Sequence, residues 1–146
     1  MEKYSAAHIA DILLRKAADS EQEYMSNLKL QKMLYYEQGF HLAVFHVPLF
    51  DEEIEAWMYG PVVPAIYEKF SVHGKKGIEP PPNVLMDLKG EQAELFDEVF
   101  DTYNQFSAAK LVEMTHGEPP WKNVDPKRGQ VISKESMRAF FATRLR

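Results

Sequence analysis

The chain predicts a mainly α fold, a compact bundle of about six helices around a central hydrophobic helix at residues 27–46, with a minor short β element. Three observations carry that prediction. Wound at about 100° per residue, residues 27–45 are apolar around most of the circumference. Met33, Leu34, Phe40, Val44 and Phe45 make one broad face, Tyr36, Leu42 and Ala43 widen it, and only Lys32 and Gly39 mark a polar or thin line opposite. A helix of that kind belongs in the middle of a domain. Flanking segments repeat apolar residues at the 3, 4 spacing on one face only, as helices that wrap a core do. Finally, 146 residues at 45% hydrophobic support one core, so the expectation is a single domain over 1–146.

Each element has its own local signal. Ser5 can cap a helix to about residue 17, with Ile9, Ile12 and Leu13 inward and Asp11 and Arg15 outward. Ser26 or Asn27 can cap the central helix, which should stop near His46, before Pro48. Residues 54–59 are expected to be one short strand, with Ile54, Ala56 and Met58 on one side and Glu55, Trp57 and Tyr59 on the other. Gly60 and Pro61 should end it and start a helix over 61–73, whose inward stripe is Val62, Ile66, Tyr67 and Phe70.

Residues 74–83, with two glycines and three consecutive prolines, predict a loop. A helix over 90–106 follows, with Leu95, Phe96, Val99, Phe100, Tyr103 and Phe106 on one face and acidic groups opposite. Ser107 should cap a short helix closed by His116 and a left-handed Gly117. Residues 118–121 are expected to be extended. Residues 130–132 should pair with the 54–59 strand, and Ser133 should cap a last helix carrying Met137, Phe140, Phe141 and Leu145.

Charge narrows the function. The net formal charge is -5, and residues 51–109 hold 12 acidic against 4 basic groups. An acidic body disfavours nucleic-acid binding, which needs a basic footprint against phosphates. No cysteine is present, so disulfides, thiolate zinc sites and a cysteine nucleophile are excluded. Asp11 and Arg15 interrupt any signal-like apolar run, and no stretch reaches spanning length, so a cytoplasmic protein without a membrane partner is expected.

No catalytic, metal or cofactor site is expected. The five histidines lack metal spacing, and no glycine-rich phosphate loop or nucleophile motif appears. Glu37 and His41, one turn apart on the central helix, could act as a base and its orienter, but a structural pair satisfying two polar groups in a core is the commoner arrangement. Trp57, Tyr59, Pro61, Pro119, Pro120 and Trp121 concentrate aromatic and proline residues outside helices. Tryptophan and tyrosine suit protein interfaces. They also fill core corners, and for Trp57 and Trp121 that reading weighs more.

Three segments resemble the Panacea domain, the SocA-like family associated with phages and mobile elements: NLKLQKMLYYEQGFHL at 27–42, PLFDEEIEAWMYGPVVPAIY at 48–67 and LVEMTHGEPPW at 111–121. The chain departs from the family pattern at Glu37, where a small residue is expected, and at Phe40, where tryptophan is usual. The resemblance implies an antitoxin that binds and neutralises a neighbouring-gene toxin. Blocking by direct contact is the expectation, with Tyr36, Trp57, Tyr59, Tyr67 and Trp121 as partner-binding residues and Glu37, His41, Gly60, Pro61 and His116 as structural ones. The alternatives are a proteolytic adaptor delivering its toxin to a ClpXP-type protease, a DNA-binding regulator using the Arg138 to Arg146 tail, an enzyme built on Glu37 and His41, and homodimerisation through the aromatic surface.

Overall fold

Helix α2 (Asn27–Phe45) is the axis of the fold. Ser26 caps it, its hydroxyl accepting from the Lys29 amide at 3.3 Å, and His46 ends it in the left-handed region at φ 63°. Every residue from Leu30 to Ala43 is buried, because neighbours cover the helix on all sides. The computed structural model describes residues 1–20, 23–125 and 129–145. Among them are seven helices and a small three-stranded sheet, so the fold is mainly α with a minor β element. No helix among the described residues is long and apolar enough to cross a membrane.

The wrapping elements follow their sequence signals. Ser5 caps α1 (Ala6–Asp19), Ser107 caps α5 (Ala108–His116) and Ser133 caps α7 (Lys134–Ala142), each hydroxyl accepting an amide of the first turn. Helix α4 (Gly90–Tyr103) buries Phe96, Val99 and Phe100 and stops before 106. Strands β1 (Ile54–Trp57), β2 (Gly60–Val62) and β3 (Gln130–Ile132) form an antiparallel sheet in the order β2-β1-β3. Ile54 sits opposite Ile132, so the expected pairing of 130–132 with the first strand is present.

Several expectations need correction. Gly60 and Pro61 do not start a helix: they lie in β2, where Gly60 at φ 108° turns the hairpin and Pro61, opposite Ala56, occupies an edge strand that tolerates its missing amide. The helix there is α3 (Pro64–Phe70), with proline in its first turn, followed by a 3₁₀ turn at Ser71–His73. Gly117 is right-handed at φ -91°, because the chain turns at once into α6 (Pro119–Lys122), a single helical turn where an extended segment was expected. Leu145 lies beyond α7 and is exposed.

The two residues of the thin line on α2 are also buried. A methyl group on Gly39 would overlap the ring of Phe141, so glycine is what lets α7 lie directly on α2. Lys32 is wholly buried, and its ammonium donates to the Pro61 carbonyl at 3.0 Å. Loop 74–83 is tied down: Ser26 bridges to Gly77, and the Ile78 amide donates to the Met25 carbonyl at 2.8 Å.

Candidate functional site

The β1–β2 hairpin carries its tip away from the core. Met58 and Tyr59 are 74% and 62% exposed, high values for large apolar side chains. Behind them Trp57 is half-buried, edge-on to Tyr67 at 5.2 Å, and its indole N–H donates to Glu55 Oε1 at 3.0 Å. The hairpin, α3 and the first turns of α2 and α5 enclose a groove of about 770 Å³, with Leu28, Trp57, Met58, Tyr59, Val62 and Tyr67 forming its apolar lining. A second, polar groove of about 530 Å³ shares Ser26, Lys75 and Ala108 with it and adds Glu23 and Lys29.

The floor under the hairpin is pinned by side chains of α2. Gln31 Oε1 accepts from the Val63 amide at 2.9 Å, Gln31 Nε2 donates to Asn27 Oδ1 at 2.9 Å, and Asn27 Nδ2 donates to the Tyr67 carbonyl at 3.0 Å. Lys32 holds Pro61 from below, and burial lowers its ammonium pKa to about 7. A side chain on Gly60 would meet the Lys32 stem and Thr115 Oγ1, so glycine is required there by space as well as by φ.

The far side of the hairpin is held by α5 and α6. Trp121 Nε1–H donates to the Trp57 carbonyl at 2.8 Å, and the His116 ring stacks on Trp121 at 4.0 Å while its Nε2 meets the Met58 carbonyl at 3.1 Å. Glu118 immediately precedes α6, and its carboxylate accepts both the Tyr35 and Tyr36 hydroxyls at 2.9 Å. Burial pushes the pKa of Glu118 up, opposed by those two hydrogen bonds, and pushes Tyr35 and Tyr36 up as well. Tyr103, stacked on Tyr36 at 4.0 Å, rises to about 12, burial being the largest cause.

Residues 30–122 match the family described as Antitoxin SocA-like, Panacea domain. This chain belongs to that family. It is 33% identical over 132 residues to Antitoxin SocA of Caulobacter vibrioides (strain NA1000 / CB15N), covering 82% of this chain and 70% of that protein. No solved structure matches it. The matched Panacea region runs from Leu30 within α2 to the end of α6, so it contains the hairpin, Gln31 and Lys32 of the pinned floor and the Glu118 network.

Within this Panacea domain, the expected partner-binding residues separate. Tyr59 and Tyr67 reach the surface, and Trp57 lines the groove. Tyr36 is corrected: it is wholly buried, and its hydroxyl is committed to Glu118, so it cannot touch a partner in this fold. Trp121 is half-buried against the core and fastens α6 to the hairpin. His116, Gly60 and Pro61 hold that same hairpin.

The Glu37 and His41 pair is also corrected as a mutually satisfied couple, because no hydrogen bond joins the two side chains. His41 turns to the helix end, with Nδ1 on the Val47 carbonyl at 2.7 Å and Nε2 against Gln92 Nε2 at 3.0 Å, which fixes a neutral ring donating from Nδ1. Burial lowers its pKa. Glu37 is buried with Oε2 lacking any hydrogen-bond partner, and burial raises its pKa well above the ordinary value, with nearby Lys16 opposing. The basic tail does not form a free recognition helix, since Phe140 and Phe141 of α7 are buried in the core; Arg146 lies outside the described residues.

Missed by sequence reasoning were Met58 as a groove residue and Leu28, Ser71, Lys75, Ala108 and Ala109, which meet it only through the tertiary fold. Only Met58 had a local signal, its place beside Trp57 and Tyr59.

Proposed function

We propose that this chain is a cytoplasmic, single-domain antitoxin that neutralises a toxin encoded beside it by direct contact, using the hairpin tip and the groove behind it. Its family supplies the toxin as partner. The observation that carries the surface is the exposed pair Met58 and Tyr59 above a groove whose floor is pinned by Gln31, Asn27 and Lys32. Rigid aromatic anchors beside a preformed pocket are the arrangement in which a few side chains contribute most of a binding energy. Blocking by contact needs no catalytic group, no cofactor and no nucleic acid from the antitoxin.

The test is co-expression with the neighbouring open reading frame. Growth should be rescued, the two proteins should co-elute, and the level of toxin should not fall. The double variant Met58→Asp and Tyr59→Asp should lose rescue and co-elution while keeping the far-ultraviolet circular dichroism of the parent. Rescue without a complex would contradict the reading. Rescue that coincides with loss of toxin, and that needs a ClpXP-type protease, would assign delivery for degradation instead.

A further inference from the structure

We infer that the two adjoining grooves accept one continuous segment of the partner protein, which places an aromatic or aliphatic side chain in the apolar half and a carboxylate beside it in the lysine half. This deepens the toxin-binding reading above and rests on it. The two halves meet at Ser26, Lys75 and Ala108, so an occupant of the first is led directly into the second. In the apolar half, the aromatic side chains of Trp57, Tyr59 and Tyr67 form part of the lining, and Lys75 is the charged lining residue among those described. In the polar half Lys29 and Lys75 are opposed by Glu23.

The charge there runs against the acidic balance of residues 51–109. Of the four basic residues between 51 and 109, three, Lys69, Lys75 and Lys76, fall in the segment that walls the groove, beside Glu68 as its one acid. Lys29 gives one N–H to the Asn104 carbonyl at 2.7 Å, and an ammonium carries three donors, which leaves two for an incoming oxygen. A carboxylate that joins Lys29 and Lys75 gains charge-assisted hydrogen bonds next to an apolar contact that keeps water away. An apolar segment carrying a lysine or arginine at that place would meet like charges, so the lysine half selects among apolar segments.

The experiment measures affinity between the full chain and the protein of the adjacent gene, at low and high salt, for the parent and for Lys75→Glu, Tyr59→Ala and Lys89→Glu. Lys89 is exposed at the start of α4, whose Gln92 meets His41 near the other end of α2, so Lys89→Glu gives the same charge change far from the grooves. The expected result is a loss of about tenfold for Lys75→Glu at low salt that shrinks at high salt, a loss of about tenfold for Tyr59→Ala at both salts, and less than about twofold for Lys89→Glu. Replacing the responsible acid of the partner by lysine should restore binding to Lys75→Glu. Equal effects of Lys75→Glu and Lys89→Glu, or salt-independent loss, would overturn the inference while a parent complex still upheld the antitoxin reading. No complex with the parent chain would defeat both.

Discussion

Replacing Gly39 by alanine tests whether α2 is packed as tightly as the fold requires. On an isolated helix the change would stabilise, since alanine is favoured over glycine by about 1 kcal/mol. In this protein the new methyl would overlap the ring of Phe141, a side chain with no exposed surface. That ring has little room to retreat, because Tyr35, Phe40 and Phe140 hold it at centroid distances of 5.3, 4.8 and 4.9 Å. Overpacking a filled core costs about 1–3 kcal/mol. Expelling the ring altogether would cost about 3–5 kcal/mol. Because the ring cannot retreat within the core, the expulsion cost applies, and after the helix gain is set against it Gly39→Ala should destabilise by about 2–4 kcal/mol, which for a chain of this size lowers Tm by roughly 6–12 °C. Urea denaturation followed by circular dichroism measures it. Adding Phe141→Leu should recover part of the loss, as expected for two residues that share one space. A Gly39→Ala protein as stable as the parent would refute the packing of α7 on α2.

Three further outcomes follow from buried groups. The folded pKa of Lys32, about 7, lies below the ordinary 10.5, so between those values the unfolded state binds more protons and stability rises with pH, by at most about 1.4 kcal/mol per unit; Lys32→Met should flatten that rise between pH 7 and 9.5, and an unchanged slope would contradict it. Glu37 has a raised folded pKa, so its contribution is present below the ordinary carboxylate value and is lost as pH rises through the folded one. Glu37→Gln should therefore match the parent near pH 4 and exceed it by about 1–3 kcal/mol near pH 8 in urea titrations, and a parallel pH dependence would refute this. Glu118→Ala should cost about 3 kcal/mol by leaving the Tyr35 and Tyr36 hydroxyls unpaired, read by tryptophan fluorescence in urea; a cost below about 1 kcal/mol would remove Glu118 as the anchor of α6.

The parts legible in the sequence were those with local causes. Serine caps at Ser5, Ser26, Ser107 and Ser133 and the stripes behind them fixed helix starts, since capping and periodicity act within a few residues. The hairpin was only half legible. Its first strand showed alternation, but Gly60 and Pro61 read as a helix start, and what keeps them in β2 is the Lys32 ammonium on Pro61, a contact across 29 positions. Lys32 itself read only as part of a polar or thin line on α2, since its partner Pro61 is equally distant in sequence. Tyr36 carried the aromatic signal of an interface residue, and only the position of Glu118 shows that its hydroxyl is spent inside the core. The groove depends on four separated segments, so the sequence could flag Trp57, Tyr59 and Tyr67 without showing what they enclose.

The claim that this face binds the toxin is tested most directly by hydrogen exchange on the purified complex with the neighbouring gene's protein. Protection should appear at residues 57–62 and 64–77, and at 26–29 and 107–110 where the two grooves join, with the exposed face of α4 unchanged. Protection confined to α4 or α7, with the hairpin exchanging as in the free chain, would contradict it.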